Sequence, residues 1–151
     1  MANIDLTLLK KLREETAASV SDCRRALDEC EGNYDKAREW LKKRSTEKAE
    51  KKADRETGQG LIEPYVHGNG KIGVLVELLC ETDFVARTDE FRKLSHEIAM
   101  QVAAMNPENV EELLKQEYIK DSSVTIEGMI KQAIGTIGEN IILKKFVRLA
   151  I

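Results

Sequence analysis

The spacing of apolar residues changes along this chain, and that change limits the fold more than any other feature. Up to about residue 45 apolar side chains recur every three or four positions, the period of a helix with one buried face. Beyond Thr57-Gly58-Gln59-Gly60 they first recur every second position, the period of a strand. A chain of 151 residues with these patterns in separate blocks is an α+β protein, a small helical part followed by a part that contains a sheet. At this length about 70% of the unfolded surface is buried, enough for a real core.

In the first part Ile4, Leu8, Leu9 and Leu12 share one face of a helix ending near Thr16. Ser19, with Asp22 three residues on, marks the next start, because a hydroxyl accepts from an orphan N–H while a carboxylate suits the positively polarised first turn. Val20, Cys23, Leu27 and Cys30 mark this second helix, and Glu31-Gly32-Asn33 ends it and caps a third, whose inner face is Tyr34, Ala37 and Leu41 with Trp40 beside them. Three such helices form a bundle over residues 1–45 with a thin core, marginally stable alone. Residues 46–57 hold almost no apolar side chain larger than Ala and read as a solvated helical extension or linker. Lys48, Lys51, Lys52 and Arg55 would suit RNA, but Glu47, Glu50, Asp54 and Glu56 are interleaved with them.

In the second part, residues 58–151, Ile62 to Val66 reads as a strand that Pro64 confines to an edge, and His67-Gly68-Asn69-Gly70 as a hairpin loop. Ile72, Val74, Val76 and Leu78 alternate along a second strand; Leu75 and Leu79 make its reverse face apolar too, so the strand is expected to be central and covered on both sides. Phe91, Leu94, Ile98, Val102 and Met105 mark a helix stopped by Asn106-Pro107. Ile126, Ile130, Ala133, Ile134 and Ile137 mark another, with Thr125 as cap and Gly138 as terminator, before a last strand from Asn140 to Leu149. The sum is a helix-covered antiparallel sheet of about three strands.

Composition excludes several functions. Apolar runs stop at three or four residues, so no membrane span is expected, and Met1 to Asp5 has no leader character, which points to the cytoplasm. Twenty-four basic against twenty-seven acidic residues leave a formal charge of −3, so nucleic acid is not the favoured partner. Cys23, Cys30 and Cys80 form an odd set without metal-ligand spacing, which fits reduced thiols and neither a disulfide framework nor zinc; no cofactor is expected. His67, His96, Cys80 and Asp83 can be drawn as a nucleophilic site, but nothing in the sequence brings them together, so no enzyme is expected. Lys144, Lys145 and Arg148 suit an acidic partner, RNA, or an edge strand protected from aggregation.

Cys80-Glu81-Thr82-Asp83-Phe84-Val85-Ala86-Arg87 puts a large aromatic into a strand-to-helix connection. A Phe there either folds into its own core or, held rigid and exposed, anchors a partner's pocket. The stretch from Leu75 to Ala86 resembles the signature of the bacterial elongation factor Ts family. Leu12 to Thr16, Asp22 to Leu27, Lys51-Lys52-Ala53 and Ile137-Gly138-Glu139-Asn140-Ile141 extend the resemblance over nearly the whole chain.

The resemblance implies a ubiquitin-associated-like three-helix domain (1–45), a charged helical linker (46–57) and a core domain (58–151). It also implies a guanine nucleotide exchange factor for elongation factor Tu in translation elongation, with no bond-making chemistry of its own. Thr82, Asp83, Phe84 and Val85 take the place of the motif that enters the partner's GTPase domain, where the Phe wedges beside the nucleotide pocket and disturbs the magnesium ion. Arg13 matches a docking residue of the amino-terminal domain, and Ile137 with Gly138 matches a further contact. Val20 stands in the Met-containing loop, where Ala17-Ala18-Ser19-Val20-Ser21 replaces the family's Gly-Ala-Gly-Met-Met; Leu79 replaces an Asn. Longer members meet the partner with two related core subdomains. This chain has length for one, so a homodimer is expected to restore both contacts. A ribosome- or RNA-associated binding module, using the basic linker and the helical domain, is the alternative.

Overall fold

The computed structural model describes residues 5–151; Ile4, read on the inner face of the first helix, lies outside them. Helix α1 (Leu6–Thr16) is capped by Asp5, whose carboxylate accepts from the Thr7 N–H at 2.8 Å. It closes through Ala17 in the left-handed region. Helices α2 (Val20–Glu29) and α3 (Tyr34–Lys52) start at the caps the sequence marks, Ser19 and Asn33. Cys30 falls just past the end of α2 as its C-cap. Leu12, Cys23, Ala26, Leu27, Ala37 and Leu41 close a first apolar cluster among the three helices.

Helix α3 is longer than the bundle requires. It runs unbroken through most of the charged stretch to Lys52, and Ala49 is buried among the apolar residues of the second part. The solvated reading of this stretch therefore fails along one face. A methyl group buries too little area to register as hydrophobic patterning, but it lets two helices approach closely.

Strands β1 (Gln59–His67) and β2 (Ile72–Cys80) form the expected hairpin. With β5 (Ile141–Ala150) they make an antiparallel sheet in the order β1-β2-β5, which puts Pro64 on an edge and β2 at the centre. Helix α5 (Asp89–Met105), capped by Thr88, packs across β1 and β2 with Phe91, Leu94, Ile98 and Val102 buried; Met105, on its last turn, is exposed. Helix α7 (Ile126–Ile137), capped by Thr125 and terminated by left-handed Gly138, packs against α3, α5 and β5.

The expectation that β2 is covered on both faces is corrected. Val74, Val76, Leu78 and Cys80 point into the core, whereas Leu75 is exposed and Leu79 only half-buried. Across the same uncovered face lie Ile62 and Val66 of β1 and Val147 and Leu149 of β5, the last 72% exposed.

Three short elements escape a periodicity argument altogether: α4 (Asp83–Ala86), α6 (Val110–Lys115) and the small hairpin of β3 (Glu117–Tyr118) with β4 (Asp121–Thr125). Buried Gln101 of α5 holds this hairpin, donating to the Glu117 carbonyl at 3.0 Å and accepting from the Ile119 N–H at 3.0 Å. Glu97, one turn earlier, accepts from Lys120 at 3.1 Å and from the Tyr118 hydroxyl.

Candidate functional site

Strand β2 ends at Cys80, which is fully buried and donates its thiol hydrogen to the Thr82 carbonyl at 3.1 Å. Thr82 then caps α4, accepting from the Val85 N–H. Four residues in a helical turn point successive side chains in different directions, and this turn separates them by role. Val85 and Ala86 are buried and fix the turn to the core, while Phe84 is 78% exposed. Thr88 donates its hydroxyl to the Val85 carbonyl at 2.8 Å and starts α5, so the turn is held at both ends. Of the two readings of Phe84, the geometry realises the exposed one.

Beneath the turn lies the end of α7. Ile137 and Gly138 are half-buried there, and Glu139, next along the chain, hydrogen-bonds to Thr82. Glu139 thus ties Thr82 to the chain just after Ile137 and Gly138. Arg13 and Val20 lie elsewhere: Arg13 is exposed on the last turn of α1, and Val20 is exposed as the first residue of α2. Gln132 of α7 donates to the Thr16 carbonyl at 3.1 Å, so one helix supports the loop between Arg13 and Val20 along its length and the Phe84 turn at its end.

The site is a projection. Two clefts of about 280 and 220 Å³ flank α3 and α7, and neither is lined by a residue of the Thr82–Val85 turn. The turn therefore presents its aromatic side chain outward and borders neither cleft. Its polar surroundings are internally paired, with Asp83 and Arg87 3.0 Å apart and Arg55 3.6 Å from Glu81.

The nucleophilic set does not assemble. Cys80 and His67 sit at opposite ends of the β1–β2 hairpin, about 27 Å apart at the usual rise per residue. Burial pushes the Cys80 thiol up, away from the reactive thiolate. His67 and His96 instead pack around Tyr65, and His96 faces Glu63 at 3.3 Å. Among the described residues no group of three or more His, Cys, Asp and Glu side chains is arranged to hold a metal ion, and no helix is long and apolar enough to cross a membrane.

Two of the four basic residues singled out in the linker are engaged within the chain. Lys48 is paired with Asp22 at 2.8 Å, and Arg55 is committed to Glu81. Arg148 donates to the Ala103 carbonyl at 3.0 Å, satisfying the end of α5. Sequence reasoning missed Glu139 and Asn140 as parts of the site. Both stand in the Ile137–Ile141 stretch, but nothing local to that stretch points to contacts with residues nearly sixty positions away.

Comparison with known proteins agrees with this architecture. Residues 81–151 match the family model described as Elongation factor TS. Over 190 aligned positions the chain is 40% identical to the elongation factor Ts of Coprothermobacter proteolyticus, with 96% of each protein covered. Over 193 positions it is 43% identical to that of Fervidobacterium nodosum, with 98% of each covered. With the elongation factor Ts of Nostoc sp. the identity is 43% over all of this chain and 48% of the relative. The class these similarities define is that of translation elongation factors. The chain belongs to the elongation factor Ts family. The first two alignments are longer than the chain's own 151 residues, so those relatives carry residues that it lacks.

Proposed function

We propose that the chain is a guanine nucleotide exchange factor for elongation factor Tu, acting in the cytoplasm by inserting the Thr82–Val85 turn beside the partner's nucleotide site. The observation that carries this reading is the exposure of Phe84 on a turn fixed at both ends. Burying a Phe side chain is worth about 1.5–3 kcal/mol, and a partner helix moved aside by it carries its phosphate- and magnesium-binding groups along. Thr82 and Asp83 flank the wedge, and Val85 holds it from the core side. Exchange needs no chemistry from this chain. If the factor weakens GDP binding, GDP weakens factor binding by the same free energy, and each expels the other.

Arg13 and Val20 form a second docking patch, and Ile137 with Gly138 extends the first. On this reading residues 1–45 are the docking domain, 46–57 the linker and 58–151 the exchange core. The working form is a homodimer joined through the uncovered sheet face. Its Glu77 and Lys145 are register partners, so the face can be buried against a second copy without a net charge. Release of labelled GDP from elongation factor Tu tests the reading: release should accelerate with added factor, and an unchanged rate would reject it.

A further inference from the structure

We infer that Glu139 is a positioning residue for the exchange turn, fixing the backbone of Glu81 and Thr82 so that Phe84 is presented outward before any partner arrives. The inference rests on the reading of Thr82–Val85 as the exchange turn and adds a residue to it.

The backbone accounting requires a brace at this point. Pairing of β2 with β5 stops at Cys80 and Ile141, so the next N–H groups of the chain, those of Glu81 and Thr82, have no strand partner. Nor has α4 begun, and the first amides of a helix lack intrahelical acceptors in any case. Glu139 supplies what both lack. One carboxylate oxygen accepts from the Glu81 N–H and the Thr82 N–H, each at 3.0 Å, and the other accepts from the Thr82 hydroxyl at 2.6 Å. The same hydroxyl oxygen accepts from the Val85 N–H, so the carboxylate and the helical turn are linked through one side chain. An ionised acceptor serving three donors is a stronger brace than neutral contacts would be.

Glu139 is itself held from both sides. Gly138, at φ 90°, turns the chain out of α7 immediately before it. Asn140, immediately after, donates its N–H to the Glu81 carboxylate at 2.7 Å, so the two segments exchange backbone-to-carboxylate bonds in both directions. The buried Asn140 side chain donates to the Arg55 carbonyl at 2.9 Å and the Ala53 carbonyl at 3.3 Å. The residues just after α3 are thereby tied to the same junction. A turn ordered in the free protein does not have to be ordered on binding, whereas a turn that visits the competent state for a fraction of the time loses that factor in apparent affinity.

The test uses the full chain and three variants. Glu139→Ala should leave a cooperative thermal transition but speed hydrogen exchange at the Glu81 and Thr82 amides at least tenfold in the free protein. Glu139→Gln, whose carbonyl oxygen can still accept from both amides, should restore most of that protection. In GDP release from elongation factor Tu, Glu139→Ala should raise the factor concentration for half-maximal acceleration about tenfold while keeping the saturated rate within twofold. Substitution of Phe84 should instead lower the saturated rate. If Glu139→Ala does not melt cooperatively, Glu139→Asp, whose carboxylate is one methylene shorter and cannot reach all three donors at once, carries the same measurements with smaller shifts in the same direction. Unchanged amide exchange and an unchanged half-maximal concentration would overturn the inference, as would a lowered saturated rate at unchanged half-maximal concentration, which would make Glu139 a partner contact. An inactive wild-type protein would overturn the exchange reading itself, and this role with it; an active wild type with unaltered Glu139 variants would overturn only this role.

Discussion

Ser45 of α3 and Gly135 of α7 touch so closely that a Cβ placed on Gly135 would lie 2.9 Å from the Ser45 Cβ and 3.0 Å from its Cα. This crossing is where the long third helix joins the second core, with Ala49 buried one turn beyond Ser45. In an open helix Gly→Ala is favourable by about 0.5–1 kcal/mol. Here the added methyl meets backbone as well as side chain, and forcing extra volume into a packed contact costs about 1–3 kcal/mol. Gly135→Ala should therefore lower the melting temperature in spite of its better helix propensity. A rise on thermal denaturation would show that α3 and α7 separate at no cost.

Phe84→Ala should slow GDP release from elongation factor Tu at saturating factor at least tenfold, about 1.4 kcal/mol on the barrier, while the melting temperature stays put because the ring is already in water. Asp83→Ala should do less, since it removes a charge flanking the wedge and leaves the wedge itself. Val85→Ala should show the opposite pattern, with lost thermal stability, because Val85 is buried. A large loss of stability on removing the Phe84 ring would mark it as a core residue and end the wedge model.

The elements with many turns or alternations were legible because each repeats its signal. Caps added separate signals, and Ser19, Asn33, Thr125 and Gly138 all stand where their chemistry places them. The exposure of Phe84 was not legible from periodicity, since a turn of four residues contains none. Ala49 was hidden because burial of a methyl group between helices looks, in sequence, like a solvated charged run. The uncovered sheet face was misread for the converse reason: apolar residues on both sides of β2 say that both faces avoid water, not that this chain covers both. Glu139 was beyond reach, because its partners Glu81 and Thr82 are brought to it only by the pairing of β2 with β5.

Ala17 ends α1 in the left-handed region, at φ 53° and ψ 12°, with its N–H bonded to the Arg13 carbonyl. A Cβ in that conformation costs about 1–2 kcal/mol. Glycine avoids the cost and returns about 0.4–1 kcal/mol through the greater freedom of its unfolded chain. Ala17→Gly should accordingly stabilise the protein by about 1 kcal/mol, raising the melting temperature by roughly 2–4 °C at this size. A fall would mean that the turn before Val20 gains more from a stiff backbone than it loses to strain.

Asp22 links the start of α2 to α3 through Lys48, and the hydrogen bond from that ammonium, aided by the Ser19 hydroxyl, holds its carboxyl below the ordinary aspartate value of 3.8. A carboxyl more acidic in the folded than in the unfolded state contributes stability that is complete above the unfolded value and disappears as pH falls through the folded one. Asp22→Asn should therefore melt below the wild type at pH 7, and the gap should close as pH drops below 3.8. A gap that persisted unchanged in strong acid would assign the effect of Asp22 to packing and not to its charge.

Leu75 lies at the centre of the uncovered face, flanked in register by Pro64 on one side and Val147 on the other, and its side chain points away from the core. Exposed apolar residues on all three strands form a continuous band of the kind that monomers keep small. A second copy would cover it with the same band, each Glu77 finding a Lys145 either on its own sheet or across the interface. Leu75→Lys should leave the fold intact, since the inward set Val74, Val76 and Leu78 is untouched, but it would bury an ammonium in each half of such an interface, at a cost of several kcal/mol. Light scattering at tens of micromolar should give twice the chain mass of 17.1 kDa for the wild type and 17.1 kDa for the variant. A wild-type mass equal to one chain would reject the dimer, and an equal dimeric mass for both proteins would move the interface to another face.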